Sequence, residues 1–242
     1  MSKTQVDLSD MDAVILVGGL GIRLRPLLIN KPKCLMSING KPFIDILLDY
    51  CIDQGLRRFI LCVCYRKEQV IEHLRNRNDC KIIFSEEDKP LGTGGAIKNA
   101  ELNIENNEFL VFNGDSFIDF SIKDLIAKKN DHFGSMLLCE NNNLEHFGHV
   151  KVDSSGFVSF FQEKAVFQKF GLINTGRYCF NRKIMEYIPK SKKFSMEYDL
   201  LPVLIKNEKI VADEVRSKCI DIGTPDRILD AEIYFKHFSK NS

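Results

Sequence analysis

Cations beside glycines, and carboxylates closing apolar runs, are the residues of this chain whose spacing could do chemistry. Ala13-Val-Ile-Leu-Val-Gly-Gly-Leu-Gly-Ile-Arg-Leu-Arg-Pro26 is followed by Lys31-Pro-Lys33. Gly18, Gly19 and Gly21 let the backbone turn sharply and bring bare N–H groups close to an anion. Arg23, Arg25, Lys31 and Lys33 supply the charge to hold it. The stretch is not a P-loop, because no Gly-Lys-Ser/Thr follows, and not the dinucleotide fingerprint, because Leu24 stands where the third glycine belongs. Two readings follow: a plain turn beside surface cations, or a triphosphate cradle at the carboxyl end of a first strand.

Asn113-Gly-Asp115 closes the apolar run 108–112, and Asp221 closes another at 219–222. If both runs are parallel members of one sheet, both carboxylates project at the edge that carries the glycine loop. Two carboxylates, phosphate oxygens and water make a normal magnesium shell. Singly, the first motif is a turn and Asp221 a helix cap; beside a triphosphate cradle they point to Mg2+. Leu91-Gly-Thr-Gly-Gly-Ala96 lies between a strand and a helix, where its glycines would let a flat ring or a hydroxyl approach the backbone. Just before it, Glu87 or Asp88 could accept from guanine N1–H and its exocyclic amine, or simply be solvated.

The elements that must position these residues alternate. Strands are expected at 12–17, 59–64, 81–85 and 108–112, with helices at 42–54, 68–76 and 93–100 between them. This rhythm predicts a mostly parallel sheet covered on both faces, a Rossmann-like three-layer α/β sandwich. The second half changes character. Ser121 is a helix cap, 134–140 a strand, and 149–163 two extended runs around Ser154-Ser-Gly156, which predicts an inserted antiparallel hairpin. A strand at 172–180, helices at 183–188 and 195–206, and strands at 210–215 and 219–222 follow. Thr224-Pro-Asp226 opens a final helix with a capping hydroxyl, proline at its first position and an acid in its first turn. Residues 1–10 are expected to be a loose polar extension, and 11–242 a single domain.

Composition narrows the partners. With 34 Lys and Arg against 33 Asp and Glu, no global field draws nucleic acid or an anionic membrane, so anion binding has to be local. No apolar run reaches the roughly 20 residues of a membrane span, and the first residues lack the core of a signal peptide, so a cytoplasmic protein is expected. The eight cysteines form no zinc spacing and no disulfide framework, and Cys62 and Cys64 read as small buried hydrophobes. A homodimer is compatible with this composition, although no apolar stripe marks an interface.

The glycine loop with Lys31-Pro-Lys33, Gly92-Thr-Gly-Gly95, Asn113-Gly-Asp115, Gly148, Glu163-Lys164, Asn174-Thr-Gly176 and Asp221 occur in an order that resembles the sugar-phosphate nucleotidyltransferases from residue 11 onward. The resemblance implies the nucleotidyltransferase, GT-A-like version of the α/β sandwich. It also implies in-line attack of a sugar 1-phosphate oxygen on the α-phosphorus of a nucleoside triphosphate, with release of pyrophosphate. Leu16, Gly18, Gly19, Gly21, Arg23, Glu87, Gly92, Thr93 and Asn113 would then line the nucleotide. Gly148, Glu163, Lys164 and Asn174 would hold the sugar phosphate, with Lys164 on its phosphate. Asp115 and Asp221 would hold Mg2+, Arg23 would neutralise the leaving phosphates, and Lys33 would draw in the α-phosphate or the attacking phosphate. The short chain, Gly-Thr-Gly-Gly-Ala and Gly171-Leu-Ile-Asn174 resemble the branch that uses GTP and a heptose 1-phosphate. The alternatives are UTP or dTTP with a hexose or N-acetylmuramate 1-phosphate, or a regulatory protein that binds nucleotide sugars without catalysis. Leu28 and Ile22 depart from the pattern, where the family usually carries hydroxyls.

Overall fold

The computed structural model describes residues 7–19, 21, 24, 31–142, 147–163 and 170–238. The first half runs β1 (Asp12–Leu16), β2 (Ser37–Ile38), β3 (Lys41–Pro42), α1 (Phe43–Asp53), β4 (Arg58–Val63), α2 (Lys67–Leu74), β5 (Lys81–Glu86), α3 (Gly92–Asn99) and β6 (Glu108–Asn113). The second runs β7 (Ser116–Phe117), α4 (Ile122–Lys129), β8 (Gly134–Asn141), β9 (Gly148–Val152), β10 (Val158–Glu163), β11 (Gly171–Asn181), α5 (Leu201–Asn207), β12 (Ile210–Val215), β13 (Ile220–Asp221) and α6 (Pro225–Phe238).

One nine-stranded mixed sheet organises these elements in the order β10-β9-β11-β6-β1-β4-β5, with β8 joining β11 to β12. Its first half, β6-β1-β4-β5, is parallel throughout. β11 enters antiparallel to β6, and β9 and β10 form the expected antiparallel hairpin at one edge. Strand alternation sorts the apolar side chains into two layers. Ala13, Ile15, Phe59, Leu61, Leu110 and Phe112 face one way, against Leu47, Leu48 and Leu125 of α1 and α4. Val14, Ile60, Phe109 and Val111 face the other, against Ile97, Leu201 and Leu204 of α3 and α5. The three-layer sandwich expected from the sequence is therefore the observed fold.

Several local expectations change. Leu8, inside the stretch expected to be loose, is buried in the first of these layers. Residues 182–187 form a 3-10 helix, and the helix expected over 195–206 begins as a π-helical turn, Met196–Leu200. Most consequential is β13, which does not join the sheet. It pairs antiparallel with β7 in a separate two-stranded ribbon, with Asp221 opposite Ser116. Among the described residues, no helix is long and apolar enough to cross a membrane.

Candidate active site

Parallel pairing decides where the loops go. Leu16 lies opposite Cys62 and Asn113, and Val63 opposite Glu86, so β1, β4, β5 and β6 end together. The chain stays coupled just beyond those ends: Val17 N–H donates to the Cys62 carbonyl, Gly114 N–H to that of Leu16, and Glu87 N–H to that of Val63, at 2.9–3.1 Å. A cavity of ≈ 350 Å³ opens at this edge, where open α/β sheets place ligands. Of the residues singled out in the sequence, Leu16, Gly18, Gly19, Lys33, Glu87, Gly92, Thr93, Asn113 and Asp115 line it.

At Lys33 and Asp115 the cavity wall is charged. Lys33 Nζ donates to Asp115 Oδ2 at 2.6 Å, and its side chain is 11% exposed against 44% for Asp115. Burial pushes the Asp115 carboxyl up, but the Lys33 charge and hydrogen bond outweigh it and hold the group below the usual aspartate range. Gly19 leaves this wall open, since nothing among the described residues lies within 4 Å of where its Cβ would stand. Gly21 has a φ of +56°, the left-handed turn its residue type suits. Among the described residues, Asn113 Oδ1 is buried and without a partner, an acceptor available to a hydroxyl or N–H of a bound molecule.

Glu87 is 5% exposed, and its Oε2 accepts the Leu91 N–H at 2.8 Å. Burial pushes its carboxyl above the ordinary range, only partly offset by that hydrogen bond. Asp88 is fully exposed and pairs with Lys67 at 3.5 Å. Of these two carboxylates, Glu87 lines the cavity and Asp88 does not.

The glycine-rich start of α3 needs a correction. A Cβ on Gly92 would lie 2.7 Å from the Phe194 carbonyl, one on Gly94 2.9 Å from the Phe194 ring, and one on Gly95 2.9 Å from the Lys192 carbonyl. The space these glycines leave is filled by the protein's own 192–196 segment, rather than kept clear for a ring. This segment brings in a residue that sequence reasoning missed. Glu197 lines the cavity, accepting from Thr93 Oγ1 at 2.6 Å and from Ser195 Oγ at 2.9 Å.

Asp221 approaches by a route other than the one expected. The parallel-strand premise fails, yet the β7–β13 ribbon sets Ile222 N–H on the Asp115 carbonyl at 3.1 Å, so the two acidic segments are backbone neighbours. Asp221 is outside the cavity wall; Gly223 N–H donates to its Oδ1 at 2.7 Å, and Arg227 pairs with its Oδ2. Of the residues expected at the sugar, Gly148, Glu163 and Asn174 lie on the neighbouring strands β9, β10 and β11 and are outside the cavity wall. Gly148 lies opposite Glu163 in the hairpin register, and a Cβ there would meet the Phe161 ring and Glu163 Oε2. Asn174 follows Ile173, which lies opposite His149; its Nδ2 donates to Tyr178 Oη at 2.5 Å and its Oδ1 accepts from Gly176 N–H. Arg23, Arg25 and Lys164 lie outside the described residues.

The family described as nucleotidyl transferase matches residues 12–236. The chain belongs to the nucleotidyl transferase family. This nucleotidyltransferase is 39% identical over 217 residues to a D-glycero-alpha-D-manno-heptose 1-phosphate guanylyltransferase of Campylobacter jejuni, covering 89% of this chain and 96% of that one. It is 32% identical to the protein of the same name from Aneurinibacillus thermoaerophilus, over 94% of this chain and all of that one. Among solved structures, HddC from Yersinia pseudotuberculosis, crystallised with GMP-PN, superposes with a TM-score of 0.83 at 36% identity, over 93% of this chain and 99% of that one.

Proposed function

We propose that this nucleotidyltransferase transfers a guanylyl group from GTP to D-glycero-α-D-manno-heptose 1-phosphate and releases pyrophosphate. The observation that carries the base is the buried carboxylate of Glu87 in the same cavity as the Lys33–Asp115 pair. Guanine offers a carboxylate two donors, N1–H and the exocyclic amine, whereas uracil and thymine offer one. The heptose rests on likeness to relatives matched over nearly their full length.

A sugar 1-phosphate is ionised near neutral pH, so the nucleophile needs no general base, and the protein's task is to position it and neutralise charge. Gly18 and Gly19 turn the backbone beneath the triphosphate, and Lys33, already desolvated, meets a phosphate oxygen. Arg23 carries the leaving pyrophosphate, Lys164 the attacking phosphate, and Glu163 and Asn174 the sugar hydroxyls. Asn113 Oδ1 takes a donor from the nucleotide. Asp115 and Asp221 fit a magnesium ion: both are hard oxygen donors on hydrogen-bonded neighbouring segments, and each already holds a cationic side chain. Such an ion would supply further charge neutralisation at the phosphates. The reaction belongs in the cytoplasm, where nucleoside triphosphates are made available.

Thermal unfolding with magnesium and each of GTP, UTP, dTTP, CTP and ATP tests the base without a guess about the sugar. A ligand at about a hundred times its dissociation constant adds roughly 2.7 kcal/mol to the native state. GTP alone is expected to raise the midpoint, and pyrophosphate release with heptose and mannose 1-phosphates then tests the sugar. Selective stabilisation by UTP or dTTP would sink the guanylyl assignment.

A further inference from the structure

Arg177 is among the largest of the described side chains that are less than 2% exposed, and a guanidinium is an expensive group to bury. Among the described residues its hydrogen bonds go to uncharged oxygens. Nη1 donates to the Asn113 carbonyl at 3.0 Å, the Gly176 carbonyl at 3.1 Å and Ser116 Oγ at 3.2 Å, and Nη2 donates to the Ser116 carbonyl. Its guanidinium carbon stands 5.2 Å from the centre of the Phe112 ring. Asp115 lies inside the 113–116 turn that these bonds hold at both ends.

Arg177 itself sits in an irregularity. The pairing of β11 with β8 shifts register between Asn174 and Tyr178, and Gly176 takes a φ of +73° there. A Cβ on Gly176 would stand 2.4 Å from Asn113 Nδ2, so the bulge packs directly on the nucleotide-facing asparagine. Ser116 Oγ donates in turn to the Thr175 carbonyl at 3.3 Å. One buried cation thus joins the end of β6, the start of β7 and the β11 bulge that carries Asn174.

We propose that Arg177 is a positioning residue for the transfer reaction, locking the 113–116 turn to the β11 bulge so that Asp115 and Asn174 meet their two substrates in a fixed relative placement. The inference rests on the functional reading above and goes beyond it, since Arg177 touches neither substrate. A neutral apolar side chain would fill the space but leave several carbonyls without donors. Lysine would keep the charge but lose the planar fork that reaches both ends of the turn.

The test compares wild type, Arg177→Lys and Asp115→Asn in pyrophosphate release, with kcat expressed per GTP-binding site, together with backbone hydrogen exchange. For Arg177→Lys we expect kcat per site to fall about tenfold or more, as misplacement of reacting groups does. The KM for GTP should stay within about threefold, and exchange should quicken selectively in the peptide spanning 110–118. A purely stabilising arginine would instead lower the number of binding sites and quicken exchange throughout, with kcat per site unchanged; that result overturns the proposal. Should Arg177→Lys fail to fold, Ser116→Ala decides, because it removes one acceptor of the guanidinium and no charge. A threefold or greater loss of kcat at unchanged KM supports the lock, and full kcat overturns it. Wild type inactive with every triphosphate and sugar 1-phosphate would fail the functional reading, and the positioning role with it. Active wild type with an unimpaired Asp115→Asn would remove Asp115 from the chemistry, and with it the role given to Arg177. Active wild type with an impaired Asp115→Asn but an unimpaired Arg177→Lys would sink the positioning role alone.

Discussion

Glu87 and Asp115 are carboxylates of one cavity with opposite electrostatics, and each supports a prediction. In Glu87 burial dominates and the folded-state pKa is raised. A group of this kind contributes its stability below its unfolded pKa and loses it as pH rises through the folded value, so at pH 7 the ionised side chain weighs against the native state. Glu87→Gln keeps an oxygen for the Leu91 N–H and removes the charge. It is expected to raise the unfolding midpoint at pH 7 but not at pH 4, while lowering kcat/KM for GTP about tenfold or more, the usual scale for losing a charged hydrogen-bond acceptor. Asp115→Asn is expected to cut kcat by about a hundredfold or more with the fold intact by circular dichroism; near-wild-type turnover would remove Asp115 from the reaction. Asp115 was legible in the sequence because it sits just past an apolar run, where strand ends expose polar groups; the same signal narrowed the other position only to Glu87 or Asp88, since both follow one strand. Glu197 was not legible, since its partner Thr93 is remote in sequence and no local pattern announces the contact.

At the scale of elements, glycine placement reported position but not purpose. The sequence locates the start of α3 to within a residue, yet the reason for its glycines is the 192–196 segment packed against them, a non-local contact. Gly92 combines a φ of +76° with the Phe194 carbonyl in the space a side chain would need. Gly92→Ala is therefore expected to destabilise the protein by roughly 1–3 kcal/mol, read as a lowered thermal midpoint. β13 escaped the sequence for another reason. Two residues are too few to show a period, so nothing local distinguishes a member of the main sheet from a partner of β7. The long parallel strands, continuously apolar and bounded by turns, left no such ambiguity.

Taken whole, the molecule carries nearly balanced charge, and its response to acid follows from particular pairs. Burial raises the Asp49 carboxyl, but Lys41 and Arg77 outweigh it and hold it low, as Lys33 does for Asp115. Depressed carboxylates contribute above their unfolded pKa and lose that contribution as pH falls through the folded value. Glu87, whose carboxyl burial pushes above the ordinary range, works in the opposite direction. The urea midpoint is thus expected to hold or rise slightly from pH 7 to about 5 and to fall below about 4; a monotonic decline from pH 7 would contradict this account. The nine-stranded sheet is complete once Val215 pairs with Cys139, whereas the ribbon that brings Asp221 beside Asp115 forms only with residues 220–222. For a chain emerging from the ribosome, most of the cavity wall is made in the first half, Glu197 joins it later, and Asp221 reaches the Asp115 segment last. Completion of the site is thus a late event of synthesis: a chain that stops short of residue 220 lacks both the ribbon beside Asp115 and the apolar contacts that Ile220, Ile222 and α6 make with Phe43 and Phe117.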